Sequence, residues 1–65
     1  MSNPPTIRET EIVLMVADGL SSKMIADKLS ISQNTVITHI ENIKRKTGTV
    51  NTPNLVYYLT KHGFI

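Results

Sequence analysis

The chain has 65 residues and a formal net charge of +2, with an isoelectric point near 9.2. That suits one small domain and permits an anionic partner without demanding one. The absence of cysteine excludes disulfides and thiolate metal sites, and the two histidines, His39 and His62, are too far apart in the chain to suggest a zinc site. No metal or other cofactor is expected. No apolar run approaches the roughly 20 residues of a membrane span. Met1 to Thr6 also lacks the charged and apolar regions of a secretion signal, so a soluble cytoplasmic protein is expected. Pro4-Pro5 reads as the end of a flexible lead-in over residues 1–5, with one domain over 6–65.

Thr6-Ile-Arg-Glu9 has the form of a capping box, with each residue able to satisfy the other's backbone N–H. Ile12, Val13, Val16, Ala17 and Leu20 follow at three- and four-residue steps and make one apolar stripe. A first helix is therefore expected over about Ile7 to Asp18, with Gly19 as its left-handed stop. Ser21 caps a second helix over about Ser22 to Leu29, buried through Ile25, Ala26 and Leu29. After the short Ser30-Ile31 connection, Ser32 caps a third helix over about Gln33 to Thr47, with Val36, Ile40 and Ile43 inward and Gly48 at its end. Thr52 as cap and Pro53 at the first helical position open a fourth helix carrying Leu55, Val56, Tyr58 and Leu59, which Gly63 stops. The β-branched residues sit at helical and not alternating spacing, so the expected class is all-α.

The outer face of the third helix is unusual. Asn34, Ile37, Thr38, Glu41 and Asn42 are too polar for a core and too apolar for an ordinary wet surface. A short helix, a tight turn and a longer helix with such a face form the helix-turn-helix pattern. A helix roughly 10–12 Å across fits the major groove of B-form DNA, about 12 Å wide. Periodicity alone does not separate this from other small helical bundles.

The residues carry more than the periodicity does. Thr6, Arg8, Glu9 and Glu11 match a T-x-R-E-x-E opening; Gly19, Leu20, Ser21, Lys23, Ile25, Ala26 and Leu29 match G-L-S-x-K-x-I-A-x-x-L. Ile31, Ser32, Thr35, Val36 and His39 match I-S-x-x-T-V-x-x-H; Asn42, Ile43, Lys46 and Gly48 match N-I-x-x-K-x-G; Gly63 and Ile65 match a closing G-x-I. In these strings, in order and over nearly its whole length, the chain resembles the LuxR/GerE-type (NarL-type) DNA-binding domain of bacterial transcription regulators. The resemblance implies a four-helix bundle with a C-terminal dimerisation helix, sequence-specific binding of double-stranded DNA in transcription regulation, and the third helix in the major groove.

It also implies roles. Bases are expected at Ile37, Thr38 and Glu41, with Asn34 nearby, and phosphates at Ser21, Lys23, Thr35 and His39. Ser21 also serves as an N-cap, Lys23 also reads as a solvated surface lysine, and His39 as a structural histidine. Relatives commonly carry Lys or Arg at the positions of Ile37 and Glu41. Ile37 suits a thymine methyl, and Glu41 can accept from a cytosine amino group while repelling phosphates, so a different site sequence or a lower affinity is expected. Lys44, Arg45 and Lys46 complement the helix dipole, and Arg45 and Lys46 are expected to flank phosphates as well. Val56, Tyr57 and Lys61 on the fourth helix are the expected contacts of a homodimer, against the alternative that both tyrosines cover the monomer core. Leu14 and Met24 fall where relatives usually carry polar residues, as contact points for another chain or domain or as scattered surface apolars. No sensor or receiver domain is read in these 65 residues, so two alternatives stand: a standalone regulator, or the DNA-binding part of a longer one that carries such a domain.

A sigma-factor promoter-reading domain uses a similar helix pair, but the Pro53-started helix and the Gly63-x-Ile65 ending favour the LuxR-type reading. A protein-interaction module that kept the fold and lost DNA affinity is the alternative from another class, made conceivable by Glu41. An enzyme is not expected, for want of paired carboxylates, a glycine-rich phosphate loop or a nucleophile beside a base. Ser32 and His39, seven residues apart on one helix, stand about two turns from each other and make no dyad.

Overall fold

The computed structural model describes residues 4–65, so the first three residues of the expected lead-in lie outside the described region. The described residues form helices α1 (Ile7–Ala17), α2 (Ser22–Leu29), α3 (Gln33–Thr47) and α4 (Thr52–Lys61), and contain no strand. The all-α expectation holds.

Side chains set the helix starts. In α1 the Glu9 N–H donates to Thr6 Oγ1 at 3.1 Å and the Thr6 N–H donates to Glu9 Oε1 at 2.8 Å, which closes the capping box. The Ser21 hydroxyl accepts from the Met24 N–H at 3.2 Å, and the Ser32 hydroxyl from the Thr35 N–H at 3.0 Å. The fourth start differs from expectation by one residue. Asn51, not Thr52, is the cap: its Oδ1 accepts from the Asn54 N–H at 2.9 Å, and Thr52 and Pro53 occupy the first two helical positions. Both residue types cap well, and proline is tolerated at either position because neither N–H has an intrahelical partner.

The ends share one device. An N–H two or three residues past each helix bonds back five residues, as in Leu20 to Met15 (3.1 Å), Ile31 to Ala26 (3.0 Å), Thr49 to Lys44 (3.1 Å) and Phe64 to Leu59 (2.9 Å). The pivot is left-handed each time. Gly19, Gly48 and Gly63 fill it in α1, α3 and α4, whereas α2 uses Ser30 at φ 57°.

Burial divides into two clusters that meet along α1 and α3. Ile12, Ile25, Ala26 and Val36 form the first, between α1, α2 and α3; Val13, Ile43, Leu55 and Leu59 form the second, between α1, α3 and α4. Neighbouring residues on α1, Ile12 and Val13, thus serve different clusters. Val36 and Ile43, about two turns apart on α3, do the same. Ala17, expected in the stripe, is exposed, because it falls about 100° past Val16 on the helix surface. With α2 at one end of its buried stripe and α4 at the other, α3 is held along most of its length on one side.

Candidate nucleic-acid interface

The opposite side of α3 is left open. Asn34, Ile37, Thr38, Glu41 and Arg45 are all exposed. At 100° per residue they fall within an arc of about 100°, running about 17 Å along the helix. Ile37, 42% exposed, stands among polar neighbours. Arg45 Nη2 donates to Asn42 Oδ1 at 2.7 Å, which orients the guanidinium along the helix. Glu41 lies 3.8 Å from the Lys44 ammonium, a loose and solvated pair that contributes little to stability. The carboxylate is therefore partly balanced on its own helix.

The remaining phosphate candidates flank this arc. Thr35, His39 and Lys46 lie roughly 100–140° around from its middle, along one flank of α3. Thr35 is exposed and its hydroxyl is 2.8 Å from that of Ser32. His39 is half-buried, turned more toward the packed side than toward the open arc. Ser21 and Lys23 are exposed at the start of α2, where free backbone N–H groups and the helix dipole favour an anion.

Lys46 has a partner distant in sequence. Its ammonium donates to Glu9 Oε1 at 2.8 Å, across 37 positions of sequence. Glu9 is 4% exposed. Burial pushes its carboxyl up, but the hydrogen bonds from Lys46 and from the Thr6 N–H, with the charge of Lys46, outweigh that and hold it below its ordinary value. The Lys46 ammonium, expected on a phosphate, is thus engaged inside the domain in the absence of DNA. In the sequence Glu9 shows only as half of a capping box, since nothing local announces a contact between chain segments so far apart.

On α4 the expected dimer contacts divide. Tyr57 is 65% exposed, and the Lys61 ammonium sits 5.9 Å from its ring centroid. Val56 is half-buried against the second cluster, so much of its apolar surface is already covered within the monomer. Tyr58 does cover the core, packed with Ile65 against the same cluster and with its ring 4.3 Å from that of His62. Leu14 and Met24 are exposed, as are Ile7 and Val50.

Comparison with known proteins agrees with this geometry. Residues 5–59 match the family described as bacterial regulatory proteins, luxR family. The chain is 39% identical over 98% of its length to the transcriptional regulatory protein MctR of Rhizobium johnstonii, covering 30% of that protein. It is 53% identical over 78% of its length to the monoamine regulon transcriptional regulator of Klebsiella aerogenes, covering 22% of that protein. It superposes over its full length, with a TM-score of 0.90 and 32% identity, on 32% of the crystal structure of ChrA, a response regulator of a heme-sensing two-component system. The chain therefore spans less than a third of these relatives. By this match over most of its residues, the chain belongs to the luxR family of bacterial regulatory proteins.

Proposed function

We propose that this chain binds duplex DNA sequence-specifically in transcription regulation, with α3 lying in the major groove. One observation carries the reading. A polar arc about 17 Å long stands clear on α3 while Val36 and Ile43 on the other side are fully buried, so the helix is both presented and rigidly held. Within the groove, Asn34, Ile37, Thr38 and Glu41 read bases: Ile37 meets a thymine methyl and Glu41 accepts from a cytosine amino group. Ser21, Lys23, Thr35, His39 and Arg45 contact phosphates and fix the register. Two copies assemble through Tyr57, Lys61 and the exposed margin of Val56 on α4, and read half-sites about 34 Å apart. A receiver or sensor domain elsewhere in the full regulator supplies the signal, and the protein acts in the bacterial cytoplasm. Among the described residues no helix is long and apolar enough to cross a membrane, which is compatible with that location.

In vitro selection from random duplexes tests the reading, because it yields affinity, half-site sequence and spacing together. Ile37→Ala and Thr38→Ala should change the selected sequence, whereas Lys23→Ala should weaken all sequences about equally. An unchanged preference in the first two removes the groove assignment. No binding to any duplex at low salt and high micromolar protein favours a protein-interaction module instead.

A further inference from the structure

Glu9 is a buried acid in a chain of net positive charge. Capping α1 does not require burial, since an exposed glutamate closes the same box, and burying a carboxylate is costly unless a cation and hydrogen bonds compensate. Here one oxygen, Oε1, receives both the Thr6 N–H and the Lys46 ammonium, each at 2.8 Å. The pair joins the first turn of α1 to the last turn of α3. Lys46 also lies on the α3 flank that carries Thr35 and His39, where a released ammonium would face DNA phosphate. Phosphate contacts by lysine raise affinity for all sequences alike and steepen its salt dependence.

We propose that Glu9 is a specificity-determining positioning residue, which withholds the Lys46 ammonium from DNA phosphate and fixes the end of the reading helix against α1. The inference rests on the DNA-binding reading above. Its consequence is a lower affinity for random DNA than the cation count suggests, with little loss on the cognate site.

The test measures binding to a selected duplex and a random-sequence duplex by fluorescence anisotropy between 50 and 200 mM salt. Four proteins are compared: wild type, Glu9→Gln, Lys46→Met, and the double variant, which buries no uncompensated charge and so serves as the folded control. In Glu9→Gln the released lysine should steepen the salt slope by ~0.9, an extra loss of ~3.5-fold across that fourfold salt range, and narrow the ratio of specific to random affinity. Lys46→Met and the double variant should keep the wild-type slope. A slope shallower by ~0.9 in either shows that Lys46 contacts phosphate in the wild type and overturns the inference while leaving the DNA-binding reading intact. An unchanged slope in Glu9→Gln overturns it likewise. Wild type that binds no duplex at low salt overturns both.

Discussion

Ser30→Gly should stabilise this domain, although it removes side-chain atoms and puts the most flexible residue in the turn between α2 and α3. Ser30 is the only non-glycine residue with positive φ among those described, at 57°. A Cβ in that left-handed region costs roughly 1–2 kcal/mol. Glycine removes this strain, but its freer unfolded chain returns roughly 0.5–1 kcal/mol of it. The balance favours the variant by about 0.5–1 kcal/mol, and a domain of this size should gain roughly 2–8 °C in midpoint. The bond that closes the turn, from the Ile31 N–H to the Ala26 carbonyl at 3.0 Å, involves backbone alone and survives the change. Thermal unfolding followed by far-ultraviolet circular dichroism reads the effect. Ser30→Ala, which keeps the Cβ, should show no such gain. An equal or lower midpoint for Ser30→Gly than for wild type would refute the assignment of strain to this residue.

Ile43→Ala opens a cavity where α3 meets α1 and α4, at a residue with no exposed surface. The expected loss is about 2–5 kcal/mol, against a total of roughly 3–10 kcal/mol for a domain this small; denaturant titration should show a partly unfolded variant, and a loss under about 1 kcal/mol would contradict the packing. Asn51→Ala should cost about 1 kcal/mol, and Thr52→Ala little, because Asn51 carries the cap of α4; the reverse order in a melting experiment would restore Thr52 as the cap. Glu9 should contribute to the acid limb. Its folded-state carboxyl titrates below the ordinary value of 4.5, so the folded protein binds fewer protons than the unfolded chain in that range. Its contribution is therefore complete above the unfolded value and is lost as pH falls through the folded one. Glu9→Gln should lower stability at neutral pH and flatten its decline below about pH 4.5, as measured by denaturant midpoints across pH; an unaltered slope would exclude Glu9 as the titrating group.

Local chemistry made most of the fold legible. The Thr6–Glu9 box, the Ser21 and Ser32 caps and the glycines after α1, α3 and α4 each act within a few residues of themselves, and all hold in the structure. Periodicity likewise separated Val36 and Ile43 from the open arc. It erred at Ala17, the last position of a stripe, where one 100° step turns a side chain outward. Ser30 escaped notice because serine does not advertise a left-handed pivot, although its place matches that of the three glycines. The choice of Asn51 over Thr52 turns on which of two adjacent good caps accepts from a first-turn N–H, and Asn51 does so through the Asn54 N–H. The Glu9–Lys46 pair lay out of reach for a different reason: it exists only once α1 and α3 have packed. Val56 and Tyr58 were ambiguous for the same reason, since a large apolar residue on a short helix suits a core or a partner equally until the core is filled.

Titration of labelled protein with a selected duplex, followed by amide chemical shifts, tests most directly whether the open arc of α3 meets the major groove. The largest changes should run along α3 from Asn34 to Arg45 and at Ser21 and Lys23, with the buried positions Ile12 and Leu59 nearly still. Shifts confined to the outer surface of α1 around Ile7 and Leu14, with α3 unmoved, would contradict it.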